Sequence, residues 1–295
     1  MIYDVAIIGG SYAGLSAAVP LARARRNIIV IDAGQRRNRF AENSHGFLAQ
    51  DGIQALEIIK KAREQLQRYK TVNWQQGTVH RVEKNNQDFY LCLDTQQPIH
   101  AKKIIIASGV TDRLPDISGL NERWGKSVFH CPYCHGYELN QGNIALLASS
   151  AHVTHLAMML PDWGKTTLLL NGQPDLLNLK VKQQLQERGV TIDDRSIKQM
   201  DSHADVIFTD QSITHFDGLF IQTKTFLEQG WIKDLGCKIE EDETGEFIYT
   251  NDLKATSVDG VFACGDAARP GGSVSLAVGD GALAGVSAHN ALIFD

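Results

Sequence analysis

The sequence of 295 residues has few cysteines, no long apolar run and no excess of basic charge, and each absence excludes a class of protein. No apolar run reaches the ~18 residues that a membrane-spanning helix needs. The net charge of −5 offers no basic surface for nucleic acid. Five cysteines are too few for a fold held by disulfides, and residues 1–4 carry no pattern of a secretory signal peptide. We therefore expect a cytoplasmic globular protein of roughly two domains.

Two cysteines separated by two residues, Cys131 and Cys134, form the clearest chemical motif, and His135 follows them directly. This spacing recurs where a thiol pKa is lowered enough to give a reactive thiolate. A structural zinc site usually draws its four ligands from two such pairs, and the sequence has no second pair. The remaining cysteines stand alone: Cys92, Cys237 and Cys264. Covalent haem shares the C-x-x-C-H pattern but requires export, so a redox role without metal is favoured over both.

A glycine-rich turn follows the first predicted strand, at residues 5–8, and leads into a helix predicted over residues 15–25. Dinucleotide-binding turns need glycine where the backbone turns tightly, where it approaches the pyrophosphate and where the helix packs on the strand. Gly9 and Gly14 fill the first and third places, and Ser11 takes the middle one. Because serine is small, close approach to a phosphate is retained.

An acidic residue ends the second predicted strand, at residues 27–32. Asp32 lies eighteen positions after Gly14, where a carboxylate in this kind of fold bonds a ribose hydroxyl. Strand, glycine turn, helix, strand and acid in this order predict a dinucleotide site. The neighbouring arginines either neutralise phosphates of the cofactor or lie on the surface: Arg36, Arg37 and Arg39.

Two further segments complete the same predicted domain from distant parts of the chain. Residues 103–109 form a buried-strand pattern that ends in A-S-G, and residues 256–266 form a turn and a strand that ends in G-D. Together with the N-terminal G-x-S-x-x-G turn and the cysteine pair, these segments carry a family resemblance. Over most of its length, the chain resembles the low-molecular-weight thioredoxin reductases.

The resemblance implies an α/β fold with two Rossmann-like dinucleotide-binding domains of the three-layer ββα type, the second inserted into the first. The FAD-binding domain then comprises residues 1–112 and 244–295, and residues 113–243 form an inserted NAD(P)H-like domain that carries the cysteine pair. The chain is expected to cross between the domains near residues 111–113 and 243–245. Tightly bound FAD and a homodimer are further implications.

By the same resemblance, Asp266 holds the ribitol chain of FAD, and Ser273 and Val274 open a final helix whose N-terminus faces the flavin. His45, in the loop at residues 43–46, is also expected to contact the flavin. The full set of expected FAD-binding residues is Gly9, Ser11, Gly14, Asp32, His45, Ala107, Gly109, Gly265, Asp266, Ser273 and Val274.

In the family, the second cysteine of the pair lies closest to the flavin. The resemblance therefore assigns Cys134 to attack on the flavin and Cys131 to exchange with the substrate. His135 replaces the acid that usually follows the pair, and it acts as a proton donor or acceptor or is merely packed beside the motif. The C-P-Y-C-H sequence is similar to the branch that includes fungal dithiol oxidases of gliotoxin-type metabolites.

A second strand, helix and strand are predicted at residues 143–147, 153–160 and 166–170. The turn at residues 148–153 lacks both glycines of the family's NADPH fingerprint, and residues 171–177 lack the arginines that grip the 2′-phosphate. Each lost charge-assisted hydrogen bond costs ~1.5–3 kcal/mol. We therefore expect that NADPH does not bind in the usual mode, and that a second flavin or another ligand is able to take its place.

The sequence thus predicts an FAD-dependent dithiol/disulfide oxidoreductase that acts on a thioredoxin-like protein or on a small dithiol or disulfide. Its electron partner is left open: a ferredoxin-like carrier, oxygen in a dithiol oxidase, or NADPH in a conventional thioredoxin reductase. The alternative from another class is a flavin-binding sensor without turnover, in which the cysteine pair would be idle. No metal, nucleic acid or membrane is expected as a partner.

Overall fold

The chain forms two compact units in a computed structural model. The described residues are 1–94, 97–150 and 153–294. Unit 1 comprises Met1–Arg39, Phe47–Thr111 and Thr225–Asp295, and unit 2 comprises Phe40–Gly46 and Asp112–Lys224. Across the described ranges, no helix combines the length and the apolar character that are needed to cross a bilayer.

The strands and helices that were predicted around both turns are present, with ends displaced by a few residues. The strands are β1 (Ile2–Ile8), β2 (Ile28–Asp32), β3 (Asn43–Ser44), β4 (Ile53–Gln54), β5 (Val72–Gln76), β6 (Val79–Asn85), β7 (Asp88–Leu93), β8 (Ile99–Ile106), β9 (Thr111–Arg113), β10 (Val128–Phe129), β11 (Gln141–Leu147), β12 (Gly164–Leu169), β13 (Thr191–Asp193), β14 (Ile197–Asp201), β15 (Asp205–Phe208), β16 (Ile213–Thr214), β17 (Gly218–Ile221), β18 (Lys224–Phe226), β19 (Ile239–Asp242), β20 (Gly245–Ile248) and β21 (Val261–Ala263). The α-helices are α1 (Tyr12–Arg23), α2 (Ala55–Gln67), α3 (Pro132–His135), α4 (Val153–Met159), α5 (Leu179–Glu187), α6 (Trp231–Asp234) and α7 (Val274–Phe294).

A seven-stranded sheet forms the centre of unit 1, with strand order β5-β2-β1-β8-β7-β6 and with β21 beside β8. β1 pairs in parallel with β2 and β8, so Val5 lies opposite Ile28 on one side and Lys103 on the other. The apolar runs of the inner strands are buried, as expected for parallel strands that are covered by helices. On one face, α1 packs against α7, where Gly281 approaches the carbonyl oxygen of Ala13.

The segment after residue 224 packs into unit 1. Leu227, Trp231, Ile232 and Cys237 are buried in one cluster with the sheet of that unit. Their burial removes apolar surface from water, which stabilises this placement. The second crossing between the units therefore lies between residues 224 and 225, which differs from the expected crossing near residues 243–245.

Unit 2 is built around a five-stranded parallel sheet of order β10-β17-β11-β12-β13, with a separate antiparallel sheet of β14, β15 and β16. Separate apolar clusters involve the parallel sheet: one includes side chains from α4 and α5, and the other includes side chains from the antiparallel sheet. The short segment Phe40–Gly46 belongs to this unit although its sequence neighbours belong to unit 1. It is held closely, because a Cβ on Gly125 would lie only 2.6 Å from the Phe40 Cβ.

Candidate active site

The glycine turn of unit 1 lies between the end of β1 and the start of α1. Gly9 has a positive φ of 110°, and a Cβ there would overlap the carbonyl oxygen of Ala107, just after β8. A Cβ on Gly14, in the first turn of α1, would overlap the Gly9 carbonyl oxygen. Larger residues do not fit at these two positions. The turn therefore brings a bare backbone and the N-terminus of a helix to the carboxyl ends of two parallel strands, which suits an anionic ligand.

Asp32 ends β2 beside this turn. Its Oδ1 accepts hydrogen bonds from the backbone N–H groups of Gly10 and Gly34, at 3.2 Å each. Arg63 of α2 forms an ion pair with the other carboxylate oxygen, and its guanidinium lies 5.4 Å from the centre of the Trp74 ring. The carboxylate is thus held at the position from which an acid in this fold bonds a ribose.

The segments that follow β8 and β21 end at the same edge of the sheet, because these two strands are parallel neighbours. Ala107 and Gly109 follow β8, and Gly265 follows β21. The Oγ atom of Ser108, between the first two, is buried and has no hydrogen-bond partner among the described residues. An unpaired buried hydroxyl at this edge is consistent with a polar ligand there.

Asp266 and the start of α7 complete the edge. Asp266 Oδ2 lies 2.8 Å from Arg37 Nη1, so one of the three arginines after β2 is paired with an acid. A Cβ on Gly272 would overlap Asp266 Oδ1, which shows how closely the loop before α7 approaches this carboxylate. At the start of α7, the Leu276 N–H donates to Ser273 Oγ at 3.2 Å.

Unit 1 therefore brings together ten of the eleven residues that the sequence assigned to FAD. An extended dinucleotide requires a bare turn for its pyrophosphate and polar groups for its sugars and flavin. Unit 1 provides the turn without side chains, the acid at the end of β2, the unpaired Ser108 hydroxyl and two helix N-termini. His45 is the exception, because it lies in unit 2.

The cysteine pair lies in unit 2 at the start of the short helix α3. Cys131 precedes the helix in an extended conformation, and the Cys134 N–H donates to the Cys131 carbonyl oxygen at 3.2 Å. The two Cα atoms are 5.3 Å apart, and the sulfurs are joined in a disulfide. Pro132 occupies the first helical position, where its missing N–H costs no hydrogen bond. Both cysteines are partly exposed, so exchange with an external thiol is sterically open.

His135 follows the pair and stacks on Phe129, with ring centres 4.3 Å apart. Burial, followed by the charges of His130 and His45, lowers the pKa of His135 to about 4. The imidazole is therefore neutral at physiological pH. It is able to form hydrogen bonds, but it supplies no positive charge to a neighbouring thiolate.

Two of the three free thiols that the structure describes, Cys237 and Cys264, are buried in environments that suppress their reactivity, whereas Cys92 is partly exposed. Cys264 is completely buried, and burial, followed by the nearby Asp280 carboxylate, raises its pKa to about 12. Burial also raises the pKa of the Cys237 thiol. Because the thiolate is the reactive form, neither residue competes with the Cys131–Cys134 pair.

The corresponding turn of unit 2, after β11, is of a different kind. Serines stand at residues 149 and 150, and Ser149 Oγ donates to the carbonyl oxygen of Gln222 at 3.0 Å. Two residues of the predicted turn, Ala151 and His152, lie outside the described residues. The described part thus carries a side chain where the family fingerprint has a bare backbone.

The loop after β12 is closed by hydrogen bonds to the next strand. Asn171 Oδ1 accepts from the Ile197 N–H at 2.8 Å, and the Gly172 N–H donates to the Asp194 carbonyl oxygen at 3.0 Å. Gly172 has a positive φ of 73°, and a Cβ there would overlap Ser196 Oγ. These contacts occupy polar groups of the loop at the end of β12, which is the place where a ribose binds in this kind of fold.

Arg195 supplies a positive charge close to this loop, and that charge is already paired. Its Nε lies 3.0 and 3.1 Å from the two carboxylate oxygens of Asp193, and its guanidinium lies 3.8 Å from the Phe208 ring centre. The hydrogen bond from Arg195 is the main cause that holds the pKa of Asp193 below its usual range. A 2′-phosphate would have to displace this carboxylate.

Sequence reasoning missed three side chains that the structure places in these sites: Arg63, Glu138 and Arg195. Arg63 and Arg195 belong to no sequence motif. The partner of Arg63, Asp32, is 31 positions away, and the pairing of Arg195 with Asp193, two positions before it, follows no recognised pattern. Glu138 lies 3.4 Å from His45 Nδ1, across a sequence separation that no local pattern spans. Among the described residues, no group of three or more metal-ligating side chains is gathered.

Comparison with known proteins agrees with this geometry. A profile described as pyridine nucleotide-disulphide oxidoreductase matches residues 3–281. Thioredoxin reductase tcpT of Claviceps purpurea is 33% identical over 310 residues, which cover 100% of this chain and 95% of that protein. The crystal structure of an oxidoreductase from Agrobacterium tumefaciens is 50% identical with a TM-score of 0.97, and the match covers 100% of this chain and 99% of the other.

A more distant solved structure, the thioredoxin reductase from Streptococcus pyogenes, is 25% identical with a TM-score of 0.85, over 99% of this chain and 98% of that one. The predicted family and the predicted α/β fold with two Rossmann-like domains are confirmed by these matches. The chain belongs to the pyridine nucleotide-disulphide oxidoreductase family and is a flavin-dependent disulfide oxidoreductase of the thioredoxin reductase type.

Proposed function

We propose that this protein transfers electrons between bound FAD and a dithiol or disulfide substrate through Cys131 and Cys134, without using NADPH in the usual mode. The contrast between the two nucleotide folds carries the proposal. Unit 1 keeps a bare glycine turn and a poised Asp32, whereas unit 2 has serines at its turn and a closed loop at Asn171. The relatives named as thioredoxin reductases support a thioredoxin-like protein or a small dithiol as the substrate class.

FAD would be held tightly by unit 1. The turn at Gly9, Ser11 and Gly14 would receive the pyrophosphate, and Asp32 the adenosine ribose. The remaining residues assigned to FAD in this unit are Ala107, Gly109, Gly265, Asp266, Ser273 and Val274. When bound, FAD supplies a carrier that takes up or releases two electrons.

Cys131 is assigned to the substrate and Cys134 to the flavin side of the pair. A substrate thiolate attacks Cys131 Sγ, and the Cys131–Cys134 bond breaks to release Cys134 as a thiolate. The second substrate thiolate then closes the product disulfide and frees Cys131. The substrate loses two electrons and the pair gains them, and the same steps in reverse reduce a disulfide. His135, kept neutral by burial, serves this chemistry as a hydrogen-bonding side chain.

The electron partner on the other side would reach the flavin directly. A ferredoxin-like carrier would donate electrons to a reductase, and oxygen would accept them in a dithiol oxidase. To bind here, a nicotinamide nucleotide would first have to open the loop at Asn171 and displace Asp193 from Arg195. Both changes break hydrogen bonds of the protein, which lowers the net binding free energy. A second flavin or another ligand in unit 2 would have to break the same hydrogen bonds. We therefore favour a ferredoxin-like carrier or oxygen as the electron partner.

A homodimer is part of the proposal. α7 exposes Leu276, Leu283, Val286 and Ile293, whose spacing places them along one side of the helix. Each has an exposed fraction of 37–53%. A continuous apolar stripe of this kind is typical of an interface between copies of a chain.

The proposal is tested by replacing each cysteine of the pair with serine. Cys131→Ser and Cys134→Ser should each retain the yellow flavin and lose dithiol turnover by at least ~10³-fold, because no disulfide can form. Cys92→Ser, which removes a partly exposed thiol outside the pair, is the matched control and should be fully active. Turnover that survives in either pair variant would contradict the assignment.

A further inference from the structure

His45 belongs to the same unit as the cysteine pair and lies close enough to His135 to act on it electrostatically, although the sequence around His45 belongs to unit 1. The segment Phe40–Gly46 leaves unit 1 after Arg39, becomes part of unit 2, and returns at Phe47. Within this segment, Ser44 is almost completely buried, and the side chain of His45 is only 18% exposed. Such burial of a polar histidine calls for a partner that satisfies it.

Glu138 provides that partner from the turn that follows the cysteines. His45 Nδ1 lies 3.4 Å from Glu138 Oε1. The helical turns at Pro132–His135 and Tyr137–Leu139 follow each other directly, so Glu138 lies about one helical turn beyond Cys134. The carboxylate therefore connects His45 to the element that carries the disulfide.

Thiol–disulfide exchange at Cys131 and Cys134 needs a group that accepts and donates protons. In the oxidation of a dithiol, two substrate thiols each lose a proton to form thiolates, and the released Cys134 and Cys131 thiolates each gain one. The titratable groups on the turns that carry the pair, or close to those turns, are His45, His130, Tyr133, His135, Tyr137 and Glu138. His135 is a poor candidate because it stacks on Phe129 within the unit and stays neutral.

We propose that His45, paired with Glu138, is the proton-transfer group of the Cys131–Cys134 centre. His45 takes the proton from the incoming substrate thiol, Glu138 stabilises the imidazolium that forms, and the proton passes to the released cysteine thiolate. This assignment rests on the proposed function, and it replaces the expected role of His45 as a flavin contact. It gives a catalytic reason for the insertion of seven residues of the N-terminal half into unit 2.

The test measures the cysteine pair without using the flavin. Oxidised protein is mixed with dithiothreitol, quenched with acid at short times and alkylated, and the mass gain of the peptide that carries both cysteines gives the exchange rate from pH 5 to pH 9. Histidine ordinarily changes charge between pH 5 and 8. His45→Gln should lower the rate at pH 7 by roughly 10- to 100-fold, and the remaining rate should rise only where the thiols of dithiothreitol themselves ionise.

Two variants and a second measurement make the result decisive. Glu138→Gln, at a partly exposed position, should lower the rate in the same pH range by a smaller factor, and His203→Gln is the matched control in the same unit. The ratio of flavin to protein absorbance should be that of the wild type in all three variants. Unchanged exchange in His45→Gln, or loss of flavin with unchanged exchange, would overturn the inference. Absence of exchange in the wild type would instead overturn the proposed function itself.

Discussion

At the residue scale, the chemistry depends on the exposure and the pKa that the fold gives to the cysteine pair, to Cys264 and to His135. The Cys131–Cys134 pair is partly exposed, Cys264 is buried with a pKa raised to about 12, and His135 is partly buried with a pKa lowered to about 4. The pair alone is both accessible and able to close a disulfide. Burial therefore suppresses the reactivity of Cys264, while the spacing of Cys131 and Cys134 lets these two residues alternate between disulfide and dithiol.

The lowered pKa of His135 predicts a specific dependence of stability on pH. The folded protein holds this imidazole neutral down to about pH 4, whereas the unfolded chain protonates it near the ordinary histidine pKa of 6.5. Stability from this group is therefore complete above pH 6.5 and is lost as the pH falls from 6.5 to 4. The loss is on the order of 3 kcal/mol, because each unit of pKa corresponds to ~1.4 kcal/mol.

His135→Gln should remove this contribution to the dependence of folding stability on pH. The urea concentration at half unfolding, followed by fluorescence at pH 7.5, 6.0, 5.0 and 4.5, should fall more steeply for the wild type than for the variant. His155→Gln, an exposed histidine of the same unit, should keep the slope of the wild type. Parallel curves for the wild type and His135→Gln would show that the imidazole is not held neutral.

Sequence reasoning at this scale succeeded where a motif fixes geometry. The two-residue spacing placed the cysteines within disulfide distance, and the glycine spacing placed Gly9 and Gly14 against each other and against Ala107. It gave no sign that His45 pairs with Glu138, because the two residues are brought near each other only by the folding of distant segments. Long-range ion pairs leave no periodicity in a sequence, so they are seen only in three dimensions.

At the element scale, the turn between β1 and α1 is the most constrained part of the cofactor site. Gly14→Ala would place a methyl group against the Gly9 carbonyl oxygen, so α1 would have to move away from β1. We expect loss of at least half of the bound flavin and a lower unfolding midpoint, equivalent to ~1–3 kcal/mol of overpacking.

The flavin content of purified Gly14→Ala, measured from the absorbance spectrum, checks this expectation. Gly230→Ala is the matched control, because Gly230 is exposed at the start of α6, has a negative φ and has no atom near the position of a Cβ. Both variants add the same methyl group. If Gly14→Ala bound flavin as fully as Gly230→Ala, the turn would not be the pyrophosphate site.

The strands and helices of both nucleotide folds were predictable because apolar strand patterns and helix patterns alternate along the chain. The ends of these elements were predicted less accurately. The helix expected from residue 15 begins at Tyr12, and the strand expected from residue 103 begins at Ile99. The strand begins earlier because His100 and Ala101 pair with both β1 and β7, and no apolar pattern marks this pairing. The closed loop at Asn171 agrees with the missing arginines, but the hydrogen bonds that close it could not be read from sequence.

At the scale of the whole molecule, the sequence pattern indicated that one unit is inserted into the other. The two compact units give the residues at which the chain passes between them. Apolar residues after position 224 join the core of unit 1, and the segment Phe40–Gly46 joins unit 2. Four chain crossings therefore connect the units, where the sequence predicted two. Sequence composition did not reveal this, because the crossing segments contain no low-complexity sequence and no linker rich in proline or serine.

The stripe on α7 predicts the behaviour of the assembled protein. Leu283→Lys would place a charge in the centre of the proposed interface between copies, and we expect the dimer dissociation constant to rise by at least ~30-fold, or ~2 kcal/mol. Sedimentation velocity over a range of concentrations measures this. Ile213→Lys, which alters an exposed apolar residue of unit 2, should leave the dimer intact. Equal sedimentation of the two variants would place the interface elsewhere.

The most direct test of the central claim is anaerobic stopped-flow absorbance of the purified protein at the flavin band. NADPH, NADH and dithiothreitol are added in separate experiments, with Cys131→Ser as the control for the dithiol. We predict that dithiothreitol bleaches the flavin of the wild type within seconds, that it does not bleach the flavin of Cys131→Ser, and that neither nicotinamide nucleotide does so on that timescale. Rapid bleaching by NADPH would contradict the account, because it would mean that the closed loop of unit 2 opens to form a working nucleotide site.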